Sequence, residues 1–335
     1  MTPRERIIAA LRHEETDYVP YVIPIDPPVV ERLNRHYGSE QWRRRIQGFF
    51  EGGGVDWGRE DLPDGTWADK FGVIWADAPG PGAWHSVRVP LTEPTLAGYQ
   101  WPELLPEEEL ARYRQAFSGP HDRYRLMNLG MLFFERAWAL RGMENILMDF
   151  RLHPRFAHDL FEALMQIHLE LIDRLAELPI DAIRFGDDFG AQCGLIMGTP
   201  IWREFLKPRL ARMYARAHEH GFDVWIHSCG DNSPILGDLI EIGVDVFNPF
   251  QPEAQDVYEM KRRWGQRISF EGGIGTQELL PRGTPAQIRA EVRRLCREVG
   301  RGGGFIISPT KPIMPDVPIE NAVACVEAIL EQAGH

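Results

Sequence analysis

The chain predicts an α/β architecture, a (β/α)8 barrel carrying an irregular insertion. Three observations lead there. From residue 124 onward, short near-continuous apolar runs alternate with amphipathic stretches, six such units in succession, a pattern that calls for parallel strands buried on both faces. An earlier run at 18–25, YVPYVIPI, and a further strand inside the insertion bring the count towards eight. No glycine-rich nucleotide fingerprint follows the first strand, which disfavours an open doubly wound sheet. The 335 residues, 44% of them hydrophobic, suit one domain over 1–335 with a large core.

Taken in order, the N-terminal MTPRERIIAALRHEE reads as a helix with Thr2 as its cap, Pro3 in the first turn and Glu5 completing a capping box. The strand at 18–25 stops at Asp26-Pro27-Pro28, and 29–50 reads as a polar helix closed by the glycines of 52–54. Over 52–105 glycine, proline and tryptophan replace helical periodicity, which marks an irregular insertion with hairpins. A helix at 106–117 follows. The strand at 124–130 leads into helices at 131–150 and 154–178, the latter with Phe156, Leu160, Leu164 and Ile167 on one stripe. Further strands are expected at 181–190, 222–226, 244–250, 268–274 and 304–309. Between and after them lie helices at 200–220 (capped by Thr199), 234–242, 257–264, 284–299 (with Thr284 and Gln287 as a second capping box) and 319–332.

Composition narrows the function classes. The 37 basic and 49 acidic residues give a net charge of −12, which argues against nucleic acid as a partner. No apolar run reaches the length of a membrane span, and the charged N-terminus lacks a signal-peptide core, so the expected location is cytoplasmic. Four cysteines (193, 229, 296 and 325) are too few and scattered for a disulfide framework.

Barrel chemistry sits at the C-terminal strand ends. Those ends carry Asn128 and Met131, then Asp187, Asp188 and Gln192, then His227 and Cys229, Asn248 and Gln251, Glu271, and finally Thr310 and Lys311. His227 and Cys229 are two apart on one strand, so both side chains project the same way, and imidazole beside thiolate suits zinc. Adjacent carboxylates such as Asp187 and Asp188 repel unless a cation relieves them; they could bind metal, act as base, or cap the turn into 190–194. Glu271, ahead of two glycines, could be a third ligand, a proton donor or an ion-pair partner of Lys311; Cys193 could supply a second thiolate. Asn128, Met131, Gln192, Asn248 and Gln251 stand as substrate-binding candidates. Cys296 and Cys325, and His153, His158 and His168, fall on helices, where packing or solvated roles are expected, as core filling is for most tryptophans and methionines.

Five separate blocks, RERIIAALRHEETDYVP, GTPIWREFLKPRL, WIHSCGDNSPILGDLIEIGVDVFNPFQPEA, FEGGIGTQELLPRGTP and GGGFIISPTKPIMPDVPIENAVA, resemble the uroporphyrinogen decarboxylase superfamily over nearly the whole chain. The resemblance implies a (β/α)8 barrel and one of two chemistries, metal-free decarboxylation of a porphyrinogen or zinc-dependent methyl transfer to or from a corrinoid. The decarboxylases carry an arginine-rich RQAGR element after the first strand, where this chain reads IPIDPPVVERL, so the methyltransferase branch is favoured. Its members are expected to bind zinc through His-x-Cys and a distant Cys. His227 and Cys229 match, but Lys311 occupies the place of the distant Cys, and an ammonium cannot replace a thiolate. Either the third ligand then falls to Glu271, Asp187, Asp188 or Cys193, or the zinc is absent.

The leading expectation is a corrinoid-dependent methyltransferase, or the matching O-demethylase component, in which zinc activates a small methyl donor or acceptor. Fewer sulfur ligands would make the metal harder and favour an oxygen substrate. The chain lacks an Asp-x-His-x-x-Gly corrinoid motif, which implies a separate corrinoid protein as partner; a homodimer is compatible. Two alternatives stand beside it. One is a metal-independent decarboxylase or lyase of a small acid, with Asp187 or Asp188 as proton donor and Lys311 or Arg184 orienting the carboxylate. The other is a non-catalytic barrel that binds metal or corrinoid.

Overall fold

Seven parallel strands form one sheet in strict chain order: β1 Phe50–Gly54, β2 Tyr124–Leu129, β3 Ala182–Gly186, β4 Asp223–His227, β5 Val246–Phe250, β6 Ser269–Ile274 and β7 Phe305–Pro309. The structure, a computed structural model, describes residues 1–46, 48–78 and 84–334. The eighth stave is the extended segment at 21–25, which lies parallel to the far edge of β7 through bridges at Tyr21–Ile307 and Ile25–Ile313. Val22 and Asp26 donate to the carbonyls of Ile307 and Ile313. Pro24, between them, has no N–H to give, so the ladder is interrupted and the stave remains two bridges rather than a full strand. Closure is reinforced from the other end of the chain. Gln332, on the last helix Ile319–Gln332, accepts from Val19 N–H at 3.0 Å and donates to its carbonyl at 2.9 Å. The architecture is the expected (β/α)8 type.

Strands such as β3, β5 and β7 are buried almost throughout; their outer faces are covered by helices including Pro154–Leu175, Lys207–Glu219 and Pro285–Glu298. The caps at Thr2 and Thr284 form as read, each with its reciprocal box.

Three expectations are corrected. The polar stretch 29–50 is not one helix: Pro27–Tyr37 and the short Arg43–Ile46 precede β1, which itself contains Gly52, Gly53 and Gly54. Glycine is a poor strand former, but here the backbone is packed too closely for anything else. A Cβ on Gly52 would sit 1.9 Å from the Leu126 carbonyl oxygen, and one on Gly53 would meet the Tyr113 ring at 2.4 Å. The helix expected at 131–150 breaks at Gly142, whose φ of 89° no helical residue adopts, into Phe134–Arg141 and Met143–Leu152. At 200–220 the cap is Gly198 rather than Thr199, and a π-turn over Trp202–Leu206 precedes Lys207–Glu219. Pro208 removes one N–H from the ladder there.

The insertion forms a four-stranded antiparallel sheet, Glu60–Asp61, Trp67–Ala68, Ile74–Asp77 and Trp84–Arg88. Asp69 anchors it to the barrel. Its carboxylate accepts from Phe71 and Val73 amides, from Trp75 Nε1, and from the buried Arg136 at 2.6 Å. Trp67, Trp75, Trp84 and Trp138 pack ring against ring; Trp75 takes the core role expected of tryptophan, whereas Trp84 is exposed.

Candidate metal centre

The last residue of β4, His227, and the second residue beyond it, Cys229, face the same rim as Asp188, two residues past β3. One donor atom from each lies within 4.8 Å of the others, the single such group of His, Cys and carboxylate side chains among the described residues. Cys229 Sγ is 3.6 Å from His227 Nε2, and Asp188 Oδ1 is 4.0 Å from it. Asn248 settles which ring nitrogen faces inwards. Its Oδ1 lies 2.5 Å from Nδ1, the register partner position on β5. With Nδ1–H donating to that oxygen, Nε2 keeps its lone pair towards Asp188 and Cys229.

The loops carrying these side chains are locked together. Gly190 and Gly230 touch backbone to backbone: a Cβ on Gly190 would be 2.5 Å from the Cys229 carbonyl oxygen, and one on Gly230 2.4 Å from the Gly190 carbonyl carbon. Gly230 also has a φ of +82°. Asp188 Oδ1 accepts from the Cys229 amide at 2.8 Å. Buried Asn232 donates to the carbonyls of Ser228, Cys229 and Gly230, and Ser228 Oγ accepts from the Phe189 amide. Gln251 and Gln255 brace Gly230 from β5's loop.

The other candidates separate. Asp187, expected as ligand or base, or as a cap on 190–194, instead caps the helix Phe134–Arg141, its two oxygens accepting from Phe134 and Glu135 amides at 2.8 Å. Glu271 stands outside the donor group, and its ion-pair partner is Arg184 at 2.5 Å, not Lys311; it also accepts from Trp225 Nε1. Cys193 is exposed and outside the group. Asn248 serves His227, and Gln251 is buried against Gly230. Asn128 donates to the Gly53 carbonyl, Gln192 reaches Gln277, and Met131 holds a positive φ of 49° after β2. Thr310 meets Thr276. Lys311 is exposed, with its charge felt at Cys229. His168 is buried on its helix, as expected, with Nδ1 at 2.7 Å from the Leu164 carbonyl.

Electrostatics favour a cation. Burial, and then the charge of Asp188, push the Cys229 thiol up to about 12. Glu135, which no sequence signal singled out, has its carboxyl raised to about 9 by burial and by Asp187 and Asp188. Burial likewise raises Asp187, against the opposing pull of the Glu135 and Phe134 amides. Enclosed carboxyl groups beside an imidazole and a thiol make an environment in which a divalent cation relieves repulsion. A groove of about 530 Å³, lined by Pro252, Leu279 and Arg294 among others, contains none of these donors; the chemistry is located by the donors rather than by size.

Comparison with known proteins agrees with this architecture. The chain is 26% identical, over 99% of its own length and 90% of the relative's, to a methylated-thiol–coenzyme M methyltransferase of Methanosarcina mazei. A uroporphyrinogen decarboxylase of Pseudoalteromonas translucida is 28% identical but matches 49% of this chain and 48% of its own. The solved structure of a methyltransferase from Methanosarcina mazei superposes over 99% of both chains with a TM-score of 0.68 at 18% identity, which establishes a shared fold. No described helix is long and apolar enough to cross a membrane. Residues 136–332 match the sequence model of the uroporphyrinogen decarboxylase (URO-D) family, and the chain belongs to that family.

Proposed function

We propose that this protein is a methyltransferase that holds zinc on Asp188, His227 and Cys229 and exchanges a methyl group between a small molecule and a corrinoid carried by a separate protein. The observation that carries the reading is the nitrogen, sulfur and oxygen donor set gathered within 4.8 Å at the barrel's C-terminal rim. One oxygen, one nitrogen and one sulfur donor suit zinc and leave a coordination position for a substrate. The full-length similarity to a methyltransferase, against partial matches to decarboxylases, supports the same branch.

When bound, zinc would supply Lewis acidity to a substrate heteroatom. The chain's own residues prepare the place. Asn248 Oδ1, 2.5 Å from Nδ1 of His227, orients the ring so that Nε2 faces Asp188 and Cys229, and the Asn232 clamp holds Cys229 beside Asp188. Burial and the charges of Asp187 and Asp188 raise the Glu135 carboxyl well above the ordinary carboxylate range, which suits it to donate a proton to a leaving heteroatom.

Metal analysis of the purified protein tests the reading. Near-stoichiometric zinc is expected, and it should be lost in Asp188→Ala, His227→Ala and Cys229→Ala. Methyl transfer from O-, N- and S-methyl compounds to cob(I)alamin, followed by its visible spectrum, should fail in the same variants. Zinc-free protein that transfers methyl groups normally would sink the proposal.

A further inference from the structure

On the outer flank of the barrel, apart from the donor group, lies the groove of about 530 Å³ that Pro252, Leu279 and Arg294 help to line. It runs between the loop after β5, the loop after β6 and the helix Pro285–Glu298. Its floor faces the helix layer rather than the lumen, for a Cβ on Gly273 would meet Leu295 of that helix at 3.2 Å. Pro252, Gly273, Gly275, Leu279 and Ala290 make an apolar surface. At Gly275 a Cβ would stand 2.6 Å from Glu253 Oε1, so a carboxylate fills the place of a side chain there. The volume is that of a pocket for a small organic ligand.

The polar groups on the wall are answered within the chain, with one exception. Glu278 pairs with Arg282 at 2.7 Å, and Glu291 accepts from the Tyr258 hydroxyl at 2.6 Å. Arg294 lies over the Tyr258 ring, 3.7 Å from its centroid, and reaches Glu298 at 3.4 Å. Gln287 closes the capping box with Thr284. Glu253 is the exception. Its Oε1 accepts from the Gln277 amide at 2.9 Å, whereas Oε2 is buried and meets no donor among the described residues. Leaving such an oxygen unanswered is costly, and a charged N–H is the donor that offsets most. Glu253 as a whole is partly exposed on the groove wall, and the terminal torsion of a glutamate is soft. Oε2 is therefore within reach of a ligand's head group. Three carboxylates against one committed guanidinium set the sign of that head group.

We propose that this groove binds a small organic monocation, its aryl or alkyl body against Pro252, Leu279 and Ala290 and its ammonium head on Glu253. An anionic ligand of the same shape would meet Glu253, Glu278 and Glu291 and be turned away. The groove shares no residue with Asp188, His227 and Cys229, so the inference stands independently of the methyl-transfer reading.

The test is calorimetric titration of the full-length protein at low salt with phenethylammonium, and with 2-phenylethanol as its neutral counterpart. Phenethylammonium is expected to bind about ten-fold or more tightly than the alcohol. Glu253→Gln, which keeps an oxygen for the Gln277 amide, should weaken the ammonium about ten-fold or more and retain zinc. Glu278→Gln, at a carboxylate already paired with Arg282, should change it by no more than about two-fold. Ala290→Phe fills the groove without altering a charge and should abolish binding of both probes; it keeps the test decisive should Glu253→Gln fold poorly. Chelator-treated protein should bind phenethylammonium as the untreated protein does. Equal affinity for the two probes, an affinity unchanged in Glu253→Gln or in Ala290→Phe, binding lost with the metal, or no binding at all would overturn the proposal.

Discussion

Nδ1 of His227 lies 2.5 Å from Oδ1 of Asn248, on the neighbouring strand and in register with it. This bond selects the ring tautomer that exposes Nε2 to Asp188 and Cys229. Removing such an outer partner typically costs 10–100-fold in metal affinity. Asn248→Ala is therefore expected to retain the fold but to bind zinc about 10–100-fold more weakly, measured by chelator competition. Because Asn248 also reaches the Glu271 carbonyl, a melting curve should accompany the titration. An unchanged zinc affinity would mean that the ring is oriented by something else.

The contact between Gly190 and Gly230 is the second determinant of the donor geometry. Gly230→Ala places a Cβ at φ +82° and within 2.4 Å of Gly190. Left-handed backbone at a non-glycine residue costs about 1–3 kcal/mol, and the collision must push one loop away. The expected result is a lowered melting temperature together with reduced zinc content, since Asp188 and Cys229 ride on the two loops. Cys193→Ser, on the exposed part of the same loop, should leave zinc unchanged. If Gly230→Ala kept full metal, the loops would be shown to move independently of the donors.

Much of this is legible in the sequence, and the gaps have physical causes. Strands such as β3 and β7 announce themselves as apolar runs, and His227 and Cys229 share a face by the period of two alone. Asp187 and Asp188 could not be told apart by sequence. What separates them is the helix starting at Phe134, roughly fifty residues earlier, whose free amides capture Asp187 and leave Asp188 for the rim. Glu135 carries no sequence signal because its raised carboxyl comes from burial and from those two carboxylates. β1 is not legible as a strand, its glycines reading as the run that closes the 29–50 stretch, because Gly52 and Gly53 carry no strand propensity and are dictated by the neighbouring backbone and by Tyr113. Glu271 looked like a ligand because strand ends collect polar residues, yet its partner Arg184 lies within the barrel on β3.

That Arg184–Glu271 pair gives a third prediction. Glu271 is buried, 3% exposed, and also accepts from Trp225 Nε1. Deleting one member of an enclosed pair leaves the other charge uncompensated, at a cost of about 3–5 kcal/mol. Glu271→Ala should thus lose about that much stability in denaturant unfolding, while the folded fraction retains zinc. Loss of metal without loss of stability would return Glu271 to the ligand set.

At the opposite end of the barrel, His218 makes the pH dependence of folding testable. Its Nε2 lies 2.8 Å from Asp245 Oδ2, the same oxygen that accepts from the Val224 amide, so the contact ties the starts of β4 and β5 together. The hydrogen bond to Asp245 raises the imidazole above its ordinary 6.5, with Asp223 adding to the shift and burial opposing it. A raised folded value means that the stabilisation is complete below the unfolded value and is lost as pH rises through the higher folded one. Wild-type protein should therefore melt above His218→Gln at about pH 5.5, with the gap closing by about pH 9. Because His218 and Asp245 are each 39% exposed, the gap should also shrink in high salt. A gap that widened with pH would mean that the neutral imidazole, packed against Gly243, is the form the fold prefers.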